Sequence, residues 1–421
     1  MRAPAFIVCV ALVASVAEAG EAGRFRPATP DYVVLKVPAS ASNDPIAQLE
    51  QRRSREPENE ALAAELAQLY LARARTEREQ RYFARAEALV KPWASREDAR
   101  AATLRVQADI LQNRHDFANA VRLLDRAIAL DPRDANARLM RASVKMVNGR
   151  AAQARADCAD VLAAGESTAG AICLAQVLGA TGGLARAEAL LKVLVARDEL
   201  ASGPPAAAQP ATTSSALVMP AGAGLAAALR NSMPTPPAAA SMRAWALWLL
   251  ADFADRAGDA RAAETHLRAA LEAAPLNEGI RSALSDLLLA RGASREALTL
   301  VDLPAPSIGL LARRARAQQL LRDPALEDTR SQIEDLVTLA SRRGDPPHLR
   351  EEALIALDVD HDAARALELA RSNFDTQRET VDVRLLARAA SACGDTATLR
   401  ALAKWIHETG YEDHQLPGVA T

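Results

Sequence analysis

Small residues recur along this chain at a nearly fixed step. Ala108 and Ala142 are 34 residues apart, as are Ala120 and Ala154, and Ala175 and Ala187 follow at a step of 33. Far downstream Ala251 and Ala263 are followed 34 residues later by Ser285 and Ala297. The segment Ala101–Pro132 shows what is being repeated. Leu104, Ala108 and Leu111 fall on one face of a first helix, and Phe117, Ala120, Leu124 and Ala127 on one face of a second. A short turn at Asn113–Asp116 joins them, and Pro132 stops the second helix. Ala244–Pro275 repeats the whole layout with Gly258 at its turn. Small residues at the crossing let two backbones approach, so the unit is a helical hairpin that must bury its apolar face on the next copy.

Residues Ala108, Ala120, Pro132 and their equivalents Ala251, Ala263, Pro275 carry a resemblance to the tetratricopeptide repeat (TPR) family. Leu104 and Leu247 stand where that family has a bulky aromatic. The resemblance implies an all-α, TPR-type α-solenoid of antiparallel helix hairpins. Weaker copies are expected at Pro57–Pro92, Leu310–Arg343, Leu349–Asn373 and Asp382–Trp405. Composition agrees, since an apolar half carried by Ala and Leu with only 3% aromatics suits closely packed helices.

The remaining segments set the organisation. Arg2, the apolar run Ala5–Ala17 and the small residues Ala17 and Ala19 read as a secretory signal peptide cleaved after Ala19. That run is too short to span a bilayer, so no stable membrane span is expected after cleavage, and the mature chain is expected in the periplasm or secreted. The chain thus resembles an exported, bacterial-type TPR protein. Residues 20–44 read as an extended segment, 45–200 as a first array, 201–241 as a flexible Ala/Pro/Ser linker, 242–409 as a second array and 410–421 as a tail.

Net charge is −2 from 51 basic and 53 acidic residues mixed along the chain, which gives nucleic acid no basic stripe to grip. Only five of the basic residues are Lys, an excess of Arg that reads as background composition. Chemistry-bearing patterns fail on inspection. Gly165–Gly170 has its second glycine one residue late for a nucleophile elbow, and no Lys-Ser/Thr follows Gly179–Gly183. Both read as helix-end and turn glycines. Asp358, Asp360, His361 and Asp362 lack the turn glycine and terminal carboxylate of a calcium loop and read as helix capping. His407 and His414 read as part of a solvated tail. No enzyme, cofactor or metal site is expected.

Within the resemblance, the first helix of each hairpin lines a concave face. The outward stripe of Ala101–Pro132 is Arg105, Asp109, Gln112 and Asn113, and that of Ala244–Pro275 is Trp245, Trp248, Asp252 and Arg256. Trp and Arg favour binding hot spots. These eight residues are therefore the candidates for gripping a protein or peptide partner, against the reading of a solvated polar face and ordinary tryptophan packing. Asp109, Leu139 and Met140 do not fit the family's carboxylate clamp. Cys158 and Cys173 fall on helices that pack together in this family, so they either form a disulfide or fill the seam as two small residues. The expected function is a non-enzymatic adaptor or scaffold. The other reading is a structural part of an envelope assembly or secretion complex with no peptide groove.

Overall fold

The computed structural model describes residues 44–77, 80–202, 239–304 and 306–419. The expected signal peptide, the expected extended segment up to residue 43 and most of the expected linker lie outside them. The chain divides into two compact units, Met1–Gln48 and Leu49–Thr421. Of the first, only the start of a helix is described, where the Asp44 carboxylate accepts from Ile46 N at 3.0 Å. All that follows concerns the second.

The described residues form nineteen α-helices and a short 3-10 turn, with no strand. After α1 (Pro45–Arg55) they pair as nine hairpins. These are α2 (Glu60–Glu77) with α3 (Gln80–Val90), α4 (Ala101–Asn113) with α5 (Phe117–Leu130), and α6 (Ala135–Val147) with α7 (Ala151–Ala163). Next come α8 (Ser167–Gly179) with α9 (Leu184–Ser202), α10 (Ala239–Arg256) with α11 (Ala260–Ala273), and α12 (Glu278–Ala290) with α13 (Ser294–Val301). The last three are α14 (Ile308–Leu321) with α15 (Leu326–Arg343), α16 (Leu349–Asp358) with α17 (Ala363–Phe374), and α18 (Thr380–Cys393) with α19 (Thr396–Thr409). The architecture is an all-α, TPR-type solenoid, and the four weaker copies are hairpins of it.

The register residues explain the pairing. Ala108, Ala142, Ala175, Ala251 and Ser285 on the first helices are at most 1% exposed, as are Ala120, Ala154, Ala187, Ala263 and Ala297 on the second. Four of the turns are built from a left-handed residue followed by an aspartate cap. Gly258-Asp259 and Gly394-Asp395 have this form, and so do His115-Asp116 and His361-Asp362. In each, the aspartate accepts from a backbone N–H two or three residues on, which starts the second helix.

Helix α10 packs on both α8 and α9 across the segment 203–238. One apolar core runs through that junction, from Ile172, Ala175 and Leu191 to Leu247, Leu250 and Phe253. Cys158 and Cys173 form a disulfide between α7 and α8 at full burial. Among the described residues no helix is long and apolar enough to cross a membrane.

Two local expectations change. Gly170 is not at a turn but inside α8, where a Cβ would meet Leu162 N of α7 at 2.6 Å. Gly179 faces Phe253, whose ring Cζ would lie 2.5 Å from an added Cβ. Both are close-packing glycines. His407 and His414 are exposed, as expected, but Tyr411 and Asp413 beside them are buried against the stack.

Candidate partner-binding chamber

The first helices line a common interior, and the ninth hairpin with its flanking residues returns to the turns of the second to fifth. The Arg378 N–H donates to Val147 O at 2.7 Å, and the His414 N–H to Arg256 O at 2.8 Å. Leu184 N donates to Glu412 Oε1 at 3.1 Å. The stack therefore closes on itself around a chamber of about 1730 Å³.

First helices supply the wall. Gln112 comes from α4, Leu139, Ser143 and Met146 from α6, and Gln176 from α8. Trp245, Trp248 and Asp252 follow from α10, then Ser282, Ala283 and Asp286 from α12. Arg350, Gln377, Arg378, Trp405 and Tyr411 close the far side. Trp245 and Trp248 are half-buried, with their inner edges on the α8–α12 core. Trp248 lies across α12 at Gly279, where a Cβ would come within 2.8 Å of its Cη2.

Wall charges are largely compensated. Arg313 is forked onto Asp286, with Nη2–Oδ2 at 2.7 Å, and Arg291 pairs with Glu264 at 2.7 Å. Arg350 bonds both Asp382 and Glu379 at 2.6 Å. Burial works against the Arg350 charge, but the Asp382 and Glu379 carboxylates outweigh it and hold the pKa well above the usual range. Burial pushes the Arg378 guanidinium down, Asp375 opposes this, and Arg150 adds to it. His115 is also held below its ordinary pKa, first by burial.

Of the eight residues expected to grip a partner, Gln112, Trp245, Trp248, Asp252 and Arg256 reach the chamber. Arg105, Asp109 and Asn113 do not line it. Arg105 pairs with Asp134 and Asp109 with Arg75, both at 2.5 Å, and Asp109 is buried. Asn113 is exposed at the end of α4. Arg256 is buried, and each of its three nitrogens has an acceptor: Nε on Glu412 O, Nη1 on Asp252 and Nη2 on Gly179 O. Its guanidinium also lies 4.2 Å from the Tyr411 ring centroid. It holds the stack together from inside the wall.

Sequence reading missed the far wall, because Gln377, Arg378 and Tyr411 meet the α4–α10 turns only after several hairpins of accumulated rotation. The acidic cluster resolves into structural roles. Asp358 pairs with Arg388 and Arg316, Asp360 with Arg330, and Asp362 caps α17. Among the described residues, no three His, Cys, Asp or Glu side chains gather to hold a metal ion.

No protein-family model and no curated protein matches the chain. Among solved structures it is similar to the human IFIT1 dimer with PPP-AAAA, at 13% identity over 86% of this chain and 76% of that one, TM-score 0.43. It is also similar to yeast Tom70, at 13% identity over 81% and 85%, TM-score 0.24. The TPR domain of P58(IPK) gives 16% identity over 75% and 95%, TM-score 0.21.

Proposed function

We propose that this chain is an exported, non-enzymatic interaction protein that holds an extended stretch of a partner polypeptide in the chamber. The chamber carries the reading. At about 1730 Å³ it exceeds the roughly 300–1,000 Å³ of pockets that take small molecules. Its wall alternates apolar surface from Leu139, Met146, Trp245 and Trp248 with polar groups from Gln112, Ser143 and Gln176. Such a lining suits side chains and backbone together, and the paired wall arginines leave little uncompensated charge for nucleic acid. Trp245 and Trp248 are the anchors, with Gln112 and Asp252 as polar neighbours. Arg105, Asp109 and Asn113 are candidates only for contacts outside the chamber. The Cys158–Cys173 disulfide supports an oxidising compartment.

The test is capture by photo-crosslinking. A photoreactive residue at Ser143, in the wall, is expected to trap peptide adducts, and one at Arg155, exposed on α7, is not. Trp245→Ala/Trp248→Ala should weaken partner recovery roughly thirtyfold, the loss of about one hot spot. Adducts at Arg155 alone, or undiminished recovery by the double variant, would refute the chamber as the binding site.

A further inference from the structure

The nine hairpins are joined in two chemically different ways. Along the stack, neighbours share apolar cores: one runs from α8 to α14, and another joins α14 and α15 to Ile355 and Val359. Where the ring closes, the character changes. The core of the last two hairpins, from Ala353 to Tyr411, contains no residue of α4–α10, and the core through α8–α10 contains none of α16–α19. The contacts between them are polar. Gln377 Nε2 lies 2.9 Å from the His115 ring, Arg256 Nε donates to Glu412 O at 2.8 Å, and Arg384 bonds Asp255. Gln415 Nε2 donates to Asp255 O at 2.5 Å. Polar contacts of this kind exchange water for protein partners at small net gain, whereas apolar junctions must expose surface to open.

A second observation lies at His115. It occupies the turn position held by Gly149 one repeat later, and adopts φ +54°, where glycine costs nothing. Arg322 and His361 adopt the same conformation at their turns, and His115 is the one of the three whose ring meets Gln377 across the seam.

We propose that the last two hairpins with the tail, Leu349 to Gln415, which share one apolar core, are a releasable clasp. The clasp swings as a unit along the polar seam and gives a polypeptide entry to the chamber. The entry step rests on the function proposed above, but the opening step does not.

Opening is tested on the free, full chain by amide hydrogen exchange. Arg378 N and His414 N are bonded only across the seam in this arrangement. Corrected for intrinsic rates, they are expected to exchange at least about tenfold faster than interior amides of α14 and α18, and faster again at high salt. Interior amides of α18 should stay protected, because the clasp moves intact. A Cβ on Gly149 would lie 3.3 Å from Arg378 Cβ, close to the roughly 3.5–4.5 Å spacing of a disulfide. In a Cys393→Ser background, oxidised Gly149→Cys/Arg378→Cys should slow the His414 amide to the rate of the stack. Should that bridge not form, Arg384→Gln should speed the seam amides about tenfold with α14 unchanged. Seam amides as slow as those of α14, or α18 exchanging together with them, would overturn the clasp.

Discussion

At the scale of single residues, the arginine excess that reads as background composition has a structural use. Arg141 joins Asp125 and Asp157, Arg384 joins Asp255 and Asp413, and Arg350 joins Glu379 and Asp382. A guanidinium fork can reach two carboxylates, often on different helices, where an ammonium would hold one less rigidly. Glycine has the opposite use, leaving room. Gly179→Ala would drive a methyl into the Phe253 ring, which is 2% exposed and closed in by the α8–α10 core. The expected cost is about 1–3 kcal/mol, read as a lower urea midpoint at unchanged m. A midpoint equal to wild type would mean the ring has space to move. The burial of all ten register positions was legible in their spacing alone. The tight role of Gly170 and Gly179 was not, because a glycine near a helix end looks the same whether it turns the chain or admits a neighbour.

At the scale of elements, each hairpin begins with a cap and is locked to its neighbour by a few directed bonds. Asp382 at the start of α18 is the densest case. Its carboxylate accepts from Arg350 Nε at 2.6 Å, Arg350 Nη2 at 2.7 Å, Asn373 Nδ2 at 2.7 Å and Glu379 N at 2.9 Å. It thereby caps one helix and ties it to α16 and α17. Asp382→Ala removes the cap and leaves the largely buried Arg350 charge with the half-exposed Glu379 carboxylate alone, so a loss of about 3 kcal/mol is expected in chemical denaturation. A loss under about 1 kcal/mol would place the Arg350 charge in contact with water. The hairpins α14–α19 were visible in the sequence as degenerate copies. Their mutual locks were not, since an ion pair between helices leaves no period to detect.

At the scale of the whole molecule, closure of the stack determines which faces remain free. Five of the eight residues of the expected binding stripe turn inward to the chamber, while Arg105 and Asp109 are spent on neighbouring helices. Rotation accumulated over several hairpins decides this, and it is written in no single repeat. Closure also places His115 in a desolvated seam, facing His348 and Arg350, which lower its pKa further, and Glu351 and Glu379, which raise it. With the folded-state pKa depressed, the neutral ring's contribution is complete above about pH 6.5 and is lost as pH falls through the lower folded value. Wild type should therefore lose more thermal stability between pH 7.5 and 5 than His115→Asn, which tolerates the left-handed backbone. Equal losses would remove His115 from the seam's balance. An open solenoid tolerates gain or loss of a repeat, since each added unit merely lengthens the rod. A stack whose last unit must land on its second to fifth has no such liberty. One extra hairpin anywhere between α11 and α16 would carry Gln377 past His115 and Glu412 past Arg256, so the number of repeats is itself under structural constraint.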